Sequence, residues 1–168
     1  MPSRARPSWS LLPVLALAVL ATGCASSRRE MYIQEKASDY VYRKPLGELW
    51  PQVRSFLTEK ELALREAPGA HEISTDWQQQ GAASNLGTSY VRYLVRGHQP
   101  SPGLSSVEIV RQNRVESGQG AMATPNNRTA GTDSSSRTRD REMEWELLQR
   151  LDPEGAKALQ AEAEKTIQ

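Results

Sequence analysis

Cysteine is nearly missing from this chain of 168 residues: Cys24 stands alone. An intrachain disulfide framework and a zinc site built on thiolates are both excluded. Histidine is scarce too. His71 falls on an expected strand and His98 in an expected turn. No spacing therefore points to a metal site or a Ser-His-Asp arrangement, which need several convergent groups. There is no P-loop, no GxGxxG run and no zincin signature. With no activated nucleophile to assemble, no enzymatic activity is expected, and no cofactor. One phenylalanine and a hydrophobic content of 38% leave a single small apolar core as the source of stability. Excess charge of either sign is absent as well, with Lys+Arg 21 against Asp+Glu 20. Arg4 and Arg6 are the only charged residues before Cys24, so the remainder carries 19 basic and 20 acidic side chains. No nucleic-acid footprint follows from that balance, nor a broadly basic membrane-binding face. No apolar run approaches the roughly 20 residues of a spanning helix.

What is present begins at the N-terminus. Arg4 and Arg6 precede an apolar run, Leu11 to Leu20, broken only by Pro13 and closed by the small residues Ala21, Thr22 and Gly23. That is the layout of a secretory signal. Ordinary cleavage would leave Cys24 as a free thiol at the new terminus. Leu20-Ala21-Thr22-Gly23-Cys24 instead resembles the lipobox of bacterial lipoproteins, with Leu20 one place earlier than the usual branched residue. The resemblance implies cleavage before Cys24, a diacylglyceryl thioether on its sulfur and acylation of the new amine. Several acyl chains, at about 0.8 kcal/mol per buried CH₂, hold a protein firmly on a bilayer. Ala25 follows the cysteine where an Asp would signal retention, so the resemblance implies the periplasmic side of the outer membrane.

Five segments are expected: signal peptide 1–23, lipidated tether 24–39, a small α+β domain 40–115, a disordered linker 116–138 and amphipathic helices 139–168. The tether is polar and without sustained periodicity. Tyr40-Val41-Tyr42-Arg43 reads as a strand. Leu46, Leu49, Trp50, Val53, Phe56 and Leu57 recur at helical spacing, predicting a helix over 47–60 with Pro51 near its first turn. Leu62 and Leu64 begin a strand. His71, Ile73, Thr75 and Trp77 share one strand face. Residues 78–88 read as a polar loop. Val91, Tyr93 and Val95 line one face of the next strand, with Arg92 and Arg96 opposite. Gly97 to Gly103 turns the chain, and Val107 and Ile109 open a fourth alternating run that ends near Asn113. The fold class is α+β, an antiparallel sheet of four to five strands wrapped on one helix. Residues 116–138 carry almost no apolar content and cannot offset the entropy of ordering. Met143, Leu147, Leu148 and Leu151 then form a narrow helical stripe, with Glu142, Glu144 and Glu146 expected on the solvated side. Asp152-Pro153-Glu154 starts a last helix.

The stretch from Tyr40 through Pro45, Leu49-Trp50, Val53 and Phe56-Leu57, then Ile73-Ser74-Thr75-Asp76-Trp77, resembles the repeated unit of BamC-like envelope lipoproteins. The resemblance implies a helix-grip fold and a non-enzymatic role in a membrane-bound assembly. One such unit is present here rather than two. The expected function is a lipid-anchored interaction or scaffold module, bound to the membrane through Cys24 and to an envelope protein partner. Its docking face would be the Met143, Leu147, Leu148 and Leu151 stripe. The alternative is a small-ligand or glycan-binding module that uses the groove between helix and sheet, lined by Trp77, Tyr90, Arg92 and Tyr93.

Overall fold

The computed structural model describes residues 26–67, 69, 71–84, 87–116 and 134–167. Cys24 and the signal segment lie outside them, as does most of the expected linker. Helix α1 occupies 26–38. It is followed by α2 (Leu46–Glu59), β1 (Leu64–Glu66), β2 (Glu72–Thr75), β3 (Gln78–Ser84), β4 (Gly87–Ser101), β5 (Leu104–Glu116), β6 (Ser134–Arg139), α3 (Arg141–Leu151) and α4 (Pro153–Thr166). The six strands form one antiparallel sheet in the order β1-β2-β4-β5-β6, with β3 also paired to β4.

The expected class is what forms, an antiparallel sheet with helices on it. All six apolar positions of the α2 stripe are buried. They pack with Ile73, Val95, Val107 and Ile109 from one sheet face. Val95 lies opposite Ile109 and Ile73 opposite Val95, so the period-2 alternation of three strands delivers one continuous apolar strip to the helix. The fit is close at Gly97. A side chain there would meet Leu46 Cδ1 at 2.7 Å and Trp50 Cζ3 at 3.0 Å, so α2 rests on bare backbone. Trp50 Nε1 donates to Glu66 Oε1 at 2.6 Å and ties the helix to β1. Pro51 lies in the second turn rather than the first, where its missing N–H costs the Gly47 carbonyl its helical partner.

Several expectations are corrected. The tether is not without periodic structure over 26–38: it is helical. Residues 40–43 contribute a single bridge, Tyr42 to Ser105, instead of a strand. The polar stretch after Trp77 is β3. The turn after β4 is tighter than expected, because the ladder runs through His98 and closes at Ser101 opposite Leu104. The end of the linker is β6, paired with β5 from Val110 to Val115. It carries serine, threonine and arginine and brings no apolar side chain to the core, so its backbone ladder and the polar contacts of Arg139 hold it.

The last helix begins where its Asp152-Pro153-Glu154 start predicts, and both C-terminal helices are capped by an aspartate. Asp140 Oδ1 accepts from Met143 N at 3.0 Å, and Asp152 Oδ1 from Gly155 N at 3.0 Å. Met143, Leu147, Leu148 and Leu151 are buried in the same core as α2. The stripe therefore completes the domain instead of facing a partner. Glu144 is buried with it, at 2% exposure, against the expectation of a solvated acidic face. Arg139 Nε reaches its carboxylate at 2.8 and 3.0 Å, and Ile109 N donates to it at 2.8 Å. Burial still raises the Glu144 carboxyl above its ordinary range. Arg139 also donates to the Ser38 carbonyl, so one side chain joins α1, β6 and α3.

A second clasp joins the two ends of the domain. Tyr40 Oη donates to Asp152 Oδ2 at 2.6 Å, and Gly155 leaves the hydroxyl room that any side chain would fill. Burial, with the neighbouring Asp152 carboxylate, raises the Tyr40 phenol from 10.0 to about 12. A group whose folded pKa is raised contributes stability that is whole below its unfolded pKa and is lost as pH climbs through the folded one. Stability is therefore expected to fall between pH 10 and about 12. In Tyr40→Phe that decline should be shallower, measured as the urea midpoint against pH. An identical decline in Tyr40→Phe would assign the effect to other tyrosines.

Candidate functional site

The sheet has one covered face and one open face. α2 and α3 pack on the face that carries Val95 and Ile109. On the opposite face Arg92, Leu94, Val110 and Arg114 stay partly open to solvent, and Arg96 is exposed. The registers of β2 and β3 against β4 decide what joins them. Ser74 lies opposite Leu94 and Gln78 opposite Val91, so three residues, Thr75, Asp76 and Trp77, face two, Arg92 and Tyr93. That is a β-bulge, which re-aims the side chains after it. Thr75 stays inward, and its Oγ1 accepts from Tyr93 N at 2.9 Å. Trp77 is turned to the open face. It does not share a face with Ile73 and Thr75, as strict alternation predicts.

There Trp77 meets two cations. Arg92 Cζ lies 4.6 Å from its ring centroid and Arg114 Cζ lies 4.7 Å from it. Arg114 Cζ is also 5.4 Å from the Tyr90 ring. Tyr90 and Arg114 are direct partners in the β4–β5 register, as are Arg92 and Gln112. Each exposed cation–π contact contributes about 0.5–1 kcal/mol. Arg92 Nε donates to Gln112 Oε1 at 2.7 Å, and Arg114 pairs with Glu116 at 2.6 Å. Arg137 on β6 lies opposite Gln112 and is exposed. Farther along the strand Arg96 pairs with Glu72 at 3.3 Å, and His98 stands 3.9 Å from Glu108. The result is an aromatic and arginine cluster beside the apolar pair Leu94 and Val110.

Of the residues singled out in the sequence, Trp77, Tyr90 and Arg92 are brought together. Tyr93 is not: it lies on the covered face, packed against the core, and burial raises its phenol. None of them lines a groove between helix and sheet, because that space is filled. Leu49, Val53, Ile73, Val95 and Ile109 are all 0% exposed. Sequence reasoning missed Arg114 and Arg137, since only strand register reveals that they share a face with Trp77. His71 stacks edge-on against Trp50 at 5.5 Å, while His98 stands beside Glu108. Among the described residues no group of three or more His, Cys, Asp or Glu side chains is placed to hold a metal ion. Chemically the open face offers planar guanidinium donors and aromatic rings. These suit carboxylates and other planar or acidic groups.

No protein-family model matches the chain, and no curated protein matches it in sequence.

Proposed function

We propose that this chain is a lipid-anchored envelope protein, held at the periplasmic face of the outer membrane through Cys24, and that it acts as a non-enzymatic interaction module. Its contact surface is the open sheet face, and its partner is an acidic segment of an envelope protein. The observation that carries this reading is the half-exposed pair Arg92 and Arg114 against Trp77, with the exposed Arg137 on the same sheet face. Interfaces are enriched in arginine and aromatic residues of this kind. The C-terminal apolar stripe, the other candidate, is spent inside the core. The glycan reading has less support, since guanidinium groups already lie within 5 Å of the Trp77 ring that a sugar would stack on.

Site-specific photo-crosslinking in native envelopes tests it. A photoreactive residue at Leu94, on the open face, should give a partner adduct. The same residue at Gln52, exposed on α2, should not. Arg92→Glu combined with Arg137→Glu should reduce the Leu94 adduct about tenfold, equivalent to about 1.4 kcal/mol. Equal adducts at both positions, or an adduct indifferent to charge reversal, would overturn the reading.

A further inference from the structure

The helical start of the described chain constrains how such an anchor holds the domain. α1 is already formed at Ser26, two residues after Cys24. Two residues span at most about 7 Å. α1 is itself fastened to the domain. Tyr32 Oη donates to Glu162 Oε1 at 2.7 Å, Ala37 is buried at 6% exposure, and Arg139 holds the Ser38 carbonyl. From Ser26 to Tyr32 the helix rises only about 9 Å. A lipid on Cys24 therefore brings the bilayer against one particular end of the molecule.

That end carries a shallow hollow of about 390 Å³ between α1, the start of α3 and the end of α4. Arg28 and Arg141 line it together with Met31, Tyr32 and Ile167. Met31 is 58% exposed, the most open large hydrophobic side chain among the described residues. Glu35 lies in the same hollow, and Glu30 is its exposed neighbour on α1. Arg28 and Arg141 are the two cations of the lining, and Glu162 accepts from Tyr32 at its edge. Cations beside an exposed apolar side chain and a tyrosine are the chemistry of a headgroup interface.

We infer that this hollow seats the phosphate of an anionic lipid headgroup between Arg28 and Arg141, so that the domain lies on the membrane in one orientation. The inference rests on Cys24 being the lipid-attachment residue. Met31 enters the acyl boundary, and the short connection to Cys24 keeps the hollow at the surface.

The test uses the full mature chain, purified with its anchor and reconstituted into phosphatidylcholine vesicles with or without phosphatidylglycerol. Mass analysis of the N-terminal peptide first reads the modification of Cys24. In Met31→Cys carrying an environment-sensitive fluorophore, brominated acyl chains should quench the label, and more strongly when phosphatidylglycerol is present. Combining Arg28→Glu and Arg141→Glu, both at exposed positions, should abolish that gain while the protein stays on the vesicles. An unmodified Cys24 would overturn the anchor and the orientation with it. A lipidated Cys24 with an unquenched label, or quenching indifferent to lipid charge and to both substitutions, would overturn the headgroup seat and leave the anchor standing.

Discussion

Ending the chain after Glu116 is expected to abolish folding. The remaining sequence keeps α2 and five of the six strands, which looks like a complete domain on paper. It would nevertheless lose Met143, Leu147, Leu148, Leu151 and Ala156 from the core that also holds Leu49, Val53 and Ile109. Truncating one buried leucine to alanine typically costs about 2–5 kcal/mol. Leu147 and Leu148 are 1% and 0% exposed, and Leu151 is 8% exposed. Removing three such side chains is comparable with the whole stability of a domain, about 5–15 kcal/mol. The loss of the near-ultraviolet signal from Trp50 and of any cooperative thermal transition would show it. A truncated chain that still melts sharply would mean that the C-terminal helices only decorate the fold.

Arg139→Met is expected to be the most damaging single substitution. It leaves the Glu144 carboxylate at 2% exposure with only the Ile109 N–H as partner. Breaking one side of a buried pair costs about 3–5 kcal/mol, since the surviving charge stays desolvated. The methionine replaces the volume of the arginine stem, so lost packing is not the main effect. Adding Glu144→Gln to Arg139→Met should recover part of the loss, because the buried group is then neutral. The pH dependence follows from the same carboxyl. Burial already raises its pKa above the ordinary 4.5, and losing Arg139 removes the contacts that oppose the rise. A raised folded pKa means stability that is present when the group is protonated and is lost as pH increases through that pKa. The deficit of Arg139→Met should therefore narrow as pH is lowered toward 4.5. A deficit independent of pH in chemical denaturation would argue that Arg139 acts through Ser38 alone.

The parts of this fold that were legible in the sequence are those with apolar periodicity. Leu46, Leu49, Trp50, Val53, Phe56 and Leu57 announce α2, and Asp152 announces the helix it caps. β3 and β6 carry Gln78-Gln79-Gln80 and Ser134-Ser135-Ser136. Their order comes from backbone pairing to β4 and β5, which leaves no side-chain pattern to read. α1 was hidden for a related reason, as Ile33 and Ala37 are almost its only apolar inward residues. Glu144 had a signal: it stands four and seven residues before Leu148 and Leu151, on the stripe itself. The surroundings of Trp77 had none. Which residue of Thr75-Asp76-Trp77 is extra is decided by the partner strand, and that choice alone puts the ring beside Arg92 and Arg114. The stretch ending at Cys24 that resembles a lipobox lies outside the described residues.

The clasps between the two ends have a consequence for the order of events during synthesis. Tyr32 and Glu162 are 130 positions apart, Tyr40 and Asp152 are 112 apart, and Arg139 and Ser38 are 101 apart. Such distant pairings carry a large loop-closure cost until many of them form together, which makes folding slow. A chain that emerges N-terminus first offers α1 and α2 early, but the side chains that cover them arrive last. The half-made protein therefore remains an open thread, with its apolar stripe available to whatever escorts it, until the final helix is delivered.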